Sequence, residues 1–437
     1  MEQRKVAITG IGAVSPLGLT ASDMWEGLKE GKCGLSEITA FDPVEFPCKI
    51  AGQAPEYKIR TYLPKHHRKA AKLMSRDIEL AVMAADDAVR NSGLGTKHVE
   101  AEPKLVPERT TINIGAGLVT CDIEEMAPAV SASIEDGKFD MKKWGTDGMG
   151  LVTPLWLLKY LPNMLACHIG IIHDIQGPGN NITTGECAGA MSVIEAALTI
   201  KRDAADTALA GSGEGKVEPI ALMRQILSGR ASTKGNDMPQ AASRPFANDA
   251  SGAIFSEGAG MLVLEELNAA KSRNAKIYAK IAGMGESISI SDDIVHLEAD
   301  GKGLEIAITK AMEEAGITAE QIDLIIPHGT AIAQDDKAEA AAITAALGDA
   351  VSNIPVLPTK SMIGHTGTAS ASIDLVIASK AMEEGFIPAA KNCEQEFEGC
   401  KLNIVKKAVT KEIKYALCCS YTAGGQCVAI ILEKEGN

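Results

Sequence analysis

Two apolar patterns alternate along the chain. Short β-branched and apolar runs predict strands at Val6–Thr9, Thr110–Ile114, Asn181–Thr184, Thr207–Ala210, Met261–Leu264, Ile277–Ile281, Leu324–Ile326, Tyr415–Cys418 and Val428–Leu432. Longer stretches with helical spacing predict helices at Ser22–Lys29, Asp77–Ser92, Ala188–Arg202, Leu304–Ala315, Asp336–Leu347 and Ala369–Glu384. The helix from Asp77 opens on an acidic turn, which suits the macrodipole, and the last one stops at Gly385. Strands alternating with helices imply a layered α/β fold.

The pattern also repeats. Residues 276–286 echo residues 4–13, and residues 424–434 echo residues 258–266. Each half opens on a strand followed by Gly-x-Gly and closes on a glycine-led strand. This implies two duplicated halves, residues 1–268 and 269–437, with an irregular insertion near 120–155 in the first.

Composition narrows the class. Of 437 residues 46% are apolar and 23% charged, a globular balance that excludes disorder for most of the chain. The 42 glycines and only 4% aromatics favour closely packed layers. The 43 basic residues are outnumbered by 57 acidic ones, and a net charge of −14 excludes a general nucleic-acid-binding role. One local exception runs from residue 58 to 76, where Lys58, Arg60, Lys65, Arg68, Lys69, Lys72 and Arg76 occur without an acid. Such a run is usually a solvated face, but in an acidic chain it can steer an acidic protein. Ten scattered cysteines without a Cys-x-x-Cys pair fit a reducing cytosol, and Cys418 and Cys419 should point to opposite faces of one strand. Residues 6–22 follow Arg4 and Lys5 and imitate a leader, but Gly10, Gly12, Pro16 and Gly18 break the apolar run. They read as a strand and a glycine turn. No run approaches the ~18 apolar residues of a membrane span.

Gly10-Ile11-Gly12 follows a strand, yet Ser15 stands where a dinucleotide fingerprint needs Gly or Ala. No nucleotide or metal motif is present in the sequence. The sharpest feature is Gly185-Glu186-Cys187-Ala188-Gly189, set between a strand and a helix of small residues. A cysteine at a helix N-terminus is expected to have a lowered thiol pKa and act as a nucleophile, against the alternative of a buried structural cysteine. Glu186 runs against that expectation, because a carboxylate raises a neighbouring thiol pKa unless it points away. His328 and His365 sit in glycine-bearing turns near strand ends, where α/β folds place chemistry, and Lys360 can hold a histidine or a carboxylate in place. His66, His67, His98, His168, His173 and His296 lie in unremarkable contexts and read as non-catalytic.

Residues 6–18, 239–246, 257–265, His328-Gly-Thr330, Asp336–Glu339 and Lys360–His365 together resemble, in order and spacing, the β-ketoacyl-acyl carrier protein synthases of the elongating type. The resemblance implies an α/β, thiolase-like five-layer αβαβα fold. It places the family's nucleophile on Cys187, its histidines on His328 and His365, and its lysine on Lys360. It puts the oxyanion hole on the N–H groups of Cys187 and Ala423, a pantetheine contact on Thr330 and structural support on Glu339. It implies a decarboxylating condensation of an acyl thioester with a malonyl thioester, with no metal or other cofactor. Acyl carrier protein is the implied partner, docked on Lys65, Arg68, Lys69 and Lys72. A cytoplasmic homodimer is implied, or a heterodimer with a second synthase-like subunit. No nucleic acid and no membrane enter.

The sequence departs from the family pattern near the acyl site. Glu186 precedes the cysteine where a small residue is usual, Thr422-Ala423-Gly424-Gly425 lacks the gating phenylalanine, and Ile332 replaces a threonine. Ala247 and Ala250 replace the usual Asp and Arg. These changes imply a specialised pathway. Alternatives are a chain-length-factor-like partner subunit, an acyltransferase without condensation, and a cysteine hydrolase.

Overall fold

The glycine turn expected after Thr9 is not formed. In the computed structural model, which describes residues 4–436, strand β1 runs Val6–Val14 straight through Gly10 and Gly12. Helix α1 (Ala21–Lys29) follows, and α2 (Arg76–Ser92) packs along β1 so closely that a Cβ at Gly10 or Gly12 would strike the carbonyls of Ala88 and Ala84. The glycines serve a helix approach, not a turn.

The sheet continues with β2 (Thr110–Gly115), β3 (Gly179–Ile182), β4 (Thr207–Gly215) and β5 (Glu257–Glu266). It then takes β6 (Ala279–Ile288), β7 (Leu324–Ile326), β8 (Pro355–Val356), β9 (Asn403–Ile404), β10 (Tyr415–Tyr421) and β11 (Gln426–Glu433). The spatial order is β9-β8-β7-β10-β11-β6-β1-β5-β4-β2-β3. From the middle outwards both sides read first, fifth, fourth, second, third strand of their half, with β9 added at one edge. The inner pairings are antiparallel and the outer ones parallel on each side. The two sides meet at β1 and β6 through the register pairs Ala7↔Lys280 and Ile8↔Ala279.

Helices α3 (Ala188–Lys201) and α6 (Ala369–Glu384) lie between the two sides and share one core with inward residues of both, among them Ile8, Leu262, Ile326 and Ile430. Helix α2 covers the outer face of the first side with Ile114 and Met261. Helices α4 (Lys302–Ala315) and α5 (Ala333–Leu347) cover the second with Ile325 and Ile431. The result is a five-layer αβαβα arrangement. Cys418 belongs to the central core and Cys419 to the outer one, as alternation along a strand requires. The approach of α2 to β1 is repeated on the other side, where a Cβ at Gly283 or Gly285 would strike the Ala311 and Ala307 carbonyls of α4.

The region around the expected insertion near 120–155, residues 116–178, combines short elements with irregular connections. It holds a helix at Ile123–Ala132, a small hairpin, short helical turns and a helix at Met164–His173. No helix among the described residues is long and apolar enough to cross a membrane.

Candidate functional site

Cys187 closes a 3-10 turn, Gly185–Cys187, and caps the N-terminus of α3 in the central layer. Gly185 sits at φ +61, a left-handed conformation in which a Cβ would meet the Thr422 hydroxyl. The Cys187 Sγ is fully buried and donates to the Gln426 carbonyl at 3.2 Å. The expected lowering of its pKa does not occur. Burial pushes the thiol well above its ordinary value, and Cys427 and the Glu186 carboxylate add to the rise. Desolvating a thiolate costs more than the helix terminus returns.

Glu186 does not point away into solvent. Its Oε2 accepts from Thr422 Oγ1 at 2.6 Å, and its Oε1 lies 3.4 Å from Arg230 Nη2. Burial alone would raise this carboxyl, but the Arg230 guanidinium and the Thr422 hydroxyl hold it below the usual carboxylate range. Arg230 is itself buried, donates to the Val295 carbonyl at 2.8 Å and pairs with Asp335 at 3.1 Å. The other Asp335 oxygen is 2.9 Å from His296 Nδ1. His296, set aside from sequence as unremarkable, thus belongs to a buried charge network beside the candidate nucleophile.

The loops after β7 and β8 bring the two histidines together. The His328 and His365 rings stand edge to face with centroids 5.2 Å apart, and Tyr421 packs on His328 at 4.6 Å. The His328 and Gly329 N–H groups donate to the two Glu339 oxygens at 2.6 and 2.8 Å, which fixes the loop. The Gly367 N–H donates to His365 Nδ1 at 3.1 Å, so the neutral ring carries its proton on Nε2. That Nε2 and both His328 nitrogens are buried without a partner among the described residues. Burial lowers both imidazole pKa values and keeps the rings neutral. Orphaned buried nitrogens are costly unless a ligand meets them.

Lys360 lies behind this pair. It is buried, its Nζ is 3.0 Å from Asp374, and Thr359 Oγ1 donates to the other Asp374 oxygen at 2.6 Å. Of the two partners open to it from sequence, it holds the carboxylate. Thr330 is turned inward. Its N–H and hydroxyl donate to Asp336 and its Oγ1 accepts the Ile332 N–H. The Ala423 N–H, in the turn between β10 and β11, donates to no protein acceptor among the described residues.

A cleft of about 510 Å³ opens over this ground, lined by Gly185 and Glu186 before the cysteine and by Gly367 and Thr368 after His365. Its far wall includes Leu118, Glu214, Lys216 and Gln225. Sequence reasoning missed Arg230, Asp335, Glu214, Lys216 and Thr422. The one available signal was the charge of Glu186, which demands a buried cation somewhere in the chain.

On the surface, Lys65, Arg68, Lys69 and Lys72 are exposed on the 3-10 segment Lys65–Leu73 and meet no acid among the described residues. Arg76, the last charge of the basic run, is not free, because it makes a bidentate pair with buried Glu257 at 2.8 and 2.6 Å.

The family model for the beta-ketoacyl synthase N-terminal domain matches residues 3–270, and that for the C-terminal domain matches residues 278–394. The chain belongs to the beta-ketoacyl synthase family. The 3-oxoacyl-[acyl-carrier-protein] synthase 2 of Vibrio cholerae is 32% identical over 99% of this chain and 100% of the relative. The putative polyketide beta-ketoacyl synthase 1 of Streptomyces virginiae is also 32% identical, over 93% of this chain and 91% of its own length. Among solved structures, the ishigamide ketosynthase/chain length factor superposes with a TM-score of 0.84 at 27% identity, over 99% of this chain and 100% of the other. A type II PKS acyl-carrier protein in complex with its ketosynthase bound to the hexaketide gives 0.83 at 25% identity, covering both chains completely. As a beta-ketoacyl synthase, the chain has the five-layer thiolase-type fold of these neighbours.

Proposed function

We propose that this beta-ketoacyl synthase extends acyl chains by decarboxylating Claisen condensation, with Cys187 as the nucleophile. The observation that carries the assignment is the convergence of a helix-capping cysteine with two neutral histidines, of which His328 Nδ1 and Nε2 and His365 Nε2 have no partner among the described residues.

The Cys187 thiol attacks the carbonyl of an acyl thioester, the carrier thiol departs with a proton, and an acyl-Cys187 forms. A malonyl thioester then enters and its bond to the carboxylate breaks, releasing carbon dioxide. The electron pair passes to an enolate whose oxygen is met by His365 Nε2–H and by His328. The enolate carbon attacks the acyl-Cys187 carbonyl, whose oxygen is held by the Cys187 and Ala423 N–H groups. The C–S bond breaks, the acyl group leaves on the enolate carbon as the β-ketoacyl thioester, and the cysteine thiolate takes up a proton from solvent, since its own left with the carrier thiol. Lys360 acts through Asp374 and Glu339 acts through the His328 loop, so both are positioning residues. No cofactor is needed, because decarboxylation supplies the carbanion.

Acyl carrier protein is the proposed donor, docked on Lys65, Arg68, Lys69 and Lys72. The ishigamide and hexaketide neighbours support both this partner and a second subunit. A dimer is proposed through β3, whose outer edge pairs with no strand among the described residues. Exposed Leu118, Ile123, Phe139, Met141 and Leu157 in the adjoining region support that interface. The ten unpaired cysteines support a reducing, cytoplasmic setting. The two halves are proposed to derive from duplication, with the junction near residue 268. A chain-length-factor role is disfavoured by Cys187 itself. The deciding experiment supplies acyl and malonyl carrier proteins and measures carbon dioxide. Release equal to that of Cys187→Ala would overturn the assignment.

A further inference from the structure

The cleft beside Cys187 is walled by both polar and apolar groups. Thr183, Glu186, Glu214, Lys216, Gln225 and Thr368 line it, against Leu118 and Pro162 as its only large apolar walls. The two carboxylates are committed to charge. Glu186 faces Arg230 and Thr422, and Glu214 pairs with Lys216 while its Oε2 accepts the Thr368 N–H at 2.6 Å. An alkyl chain laid over these carboxylates would desolvate them and could pair with none of their acceptors.

A second, independent feature points to the ligand. Thr368 is 1% exposed, and its Oγ1 has no hydrogen-bond partner among the described residues although the residue lines the cleft. A buried hydroxyl beside an acceptor-rich wall matches a group that both donates and accepts. A hydroxyl does this, and a methylene does neither. Each wall carboxylate already has a cation beside it, Lys216 for Glu214 and Arg230 for Glu186, the latter shared with Asp335. This favours a neutral hydroxyl over an ammonium.

We propose that the acyl chain received by Cys187 is hydroxylated, its hydroxyl held between Thr368 and the Glu186–Glu214 wall, and that saturated chains of equal length are disfavoured. The proposal rests on Cys187 being the acyl acceptor. It assigns selection to polar pairing at the cleft wall.

The test uses the full chain and matched pairs of pantetheine thioesters, hydroxylated and saturated, at equal chain length. Acylation at residue 187 is followed by peptide mass. Hydroxylated chains should load at least about tenfold faster, the scale on which a site built around a hydroxyl discriminates. Thr368→Val should collapse that ratio towards one, and Thr368→Ser should retain it. Equal or faster loading of saturated chains, or an unchanged ratio in Thr368→Val, overturns the proposal while leaving condensation intact. No acylation by either kind, together with no Cys187-dependent carbon dioxide release, overturns the condensing assignment instead.

Discussion

The Thr422 hydroxyl donates to the Glu186 carboxylate at 2.6 Å from 236 residues away in the chain. The contact ties the turn of the β10–β11 hairpin to the residue preceding the nucleophile. It also closes the hairpin over Cys187, whose Sγ already contacts Gln426 at the start of β11. A hydrogen bond to a charged group is worth about 1.5–3 kcal/mol. About 1.4 kcal/mol corresponds to tenfold in population. Thr422→Val should therefore raise the rate of Cys187 alkylation by iodoacetamide about tenfold, read from the peptide containing residue 187. An unchanged rate would mean the hairpin does not limit access.

The raised thiol pKa of Cys187 makes its own prediction. A group with a raised pKa stays protonated through neutrality, and only the thiolate reacts. The alkylation rate at Cys187 should climb about tenfold per pH unit and show no plateau through the ordinary thiol range of about 8 to 9. A plateau below that range would mean a preformed thiolate. In turnover the proton must therefore leave with the carrier thiol and not before.

Arg230 faces Glu186 at 3.4 Å and Asp335 at 3.1 Å with all three side chains largely buried. Arg230→Leu strands both carboxylates and should cost about 3–5 kcal/mol in chemical denaturation, the scale for breaking a buried pair. The pH dependence fixes the sign. In the wild type the Glu186 pKa is depressed, so its stabilisation is present above the unfolded carboxylate value of about 4.3 and is lost only as pH falls through the folded value. Without the guanidinium, burial dominates and the folded pKa rises. The variant's stability should then fall as pH increases above about 4.3, where the wild type stays level. Adding Glu186→Ala should recover part of the loss. A variant as flat with pH as the wild type would contradict this account.

Which parts of this arrangement were legible from sequence follows their range along the chain. Leu324–Ile326 and Ala369–Glu384 form over the predicted residues, because their patterns are local and their ends are marked by a proline or a glycine. The cysteine and both histidines were legible because each sits in its own short motif. The course of β1 was not, since Gly10 and Gly12 answer to carbonyls of Ala84 and Ala88 more than 70 residues on. The thiol pKa was read with the wrong sign for a similar reason. A helix N-terminus is visible in five residues, but the burial that outweighs it is contributed by β10, β11 and α6. Arg76 carried the local signal of a solvated charge and is instead spent on an internal acid, Glu257.

The basic segment offers a prediction that separates docking from chemistry. Lys65, Arg68, Lys69 and Lys72 are exposed and unpaired among the described residues, whereas Arg76 next in sequence is locked to Glu257. Exposed charges that face no acid contribute little to stability, so reversing them should leave the unfolding midpoint nearly unchanged. They contribute instead to encounter with an acidic partner. Replacing all four with glutamate should raise KM for acyl carrier protein about tenfold or more, on the scale over which electrostatic steering acts. The kcat should hold, and turnover of a free pantetheine thioester should be unaffected. Added salt should shrink the difference between wild type and variant, because these charges are screened within about 10 Å at 0.1 M ionic strength. An equal loss with the carrier-bound and the free substrate would place the defect at the site around Cys187 and not at the surface.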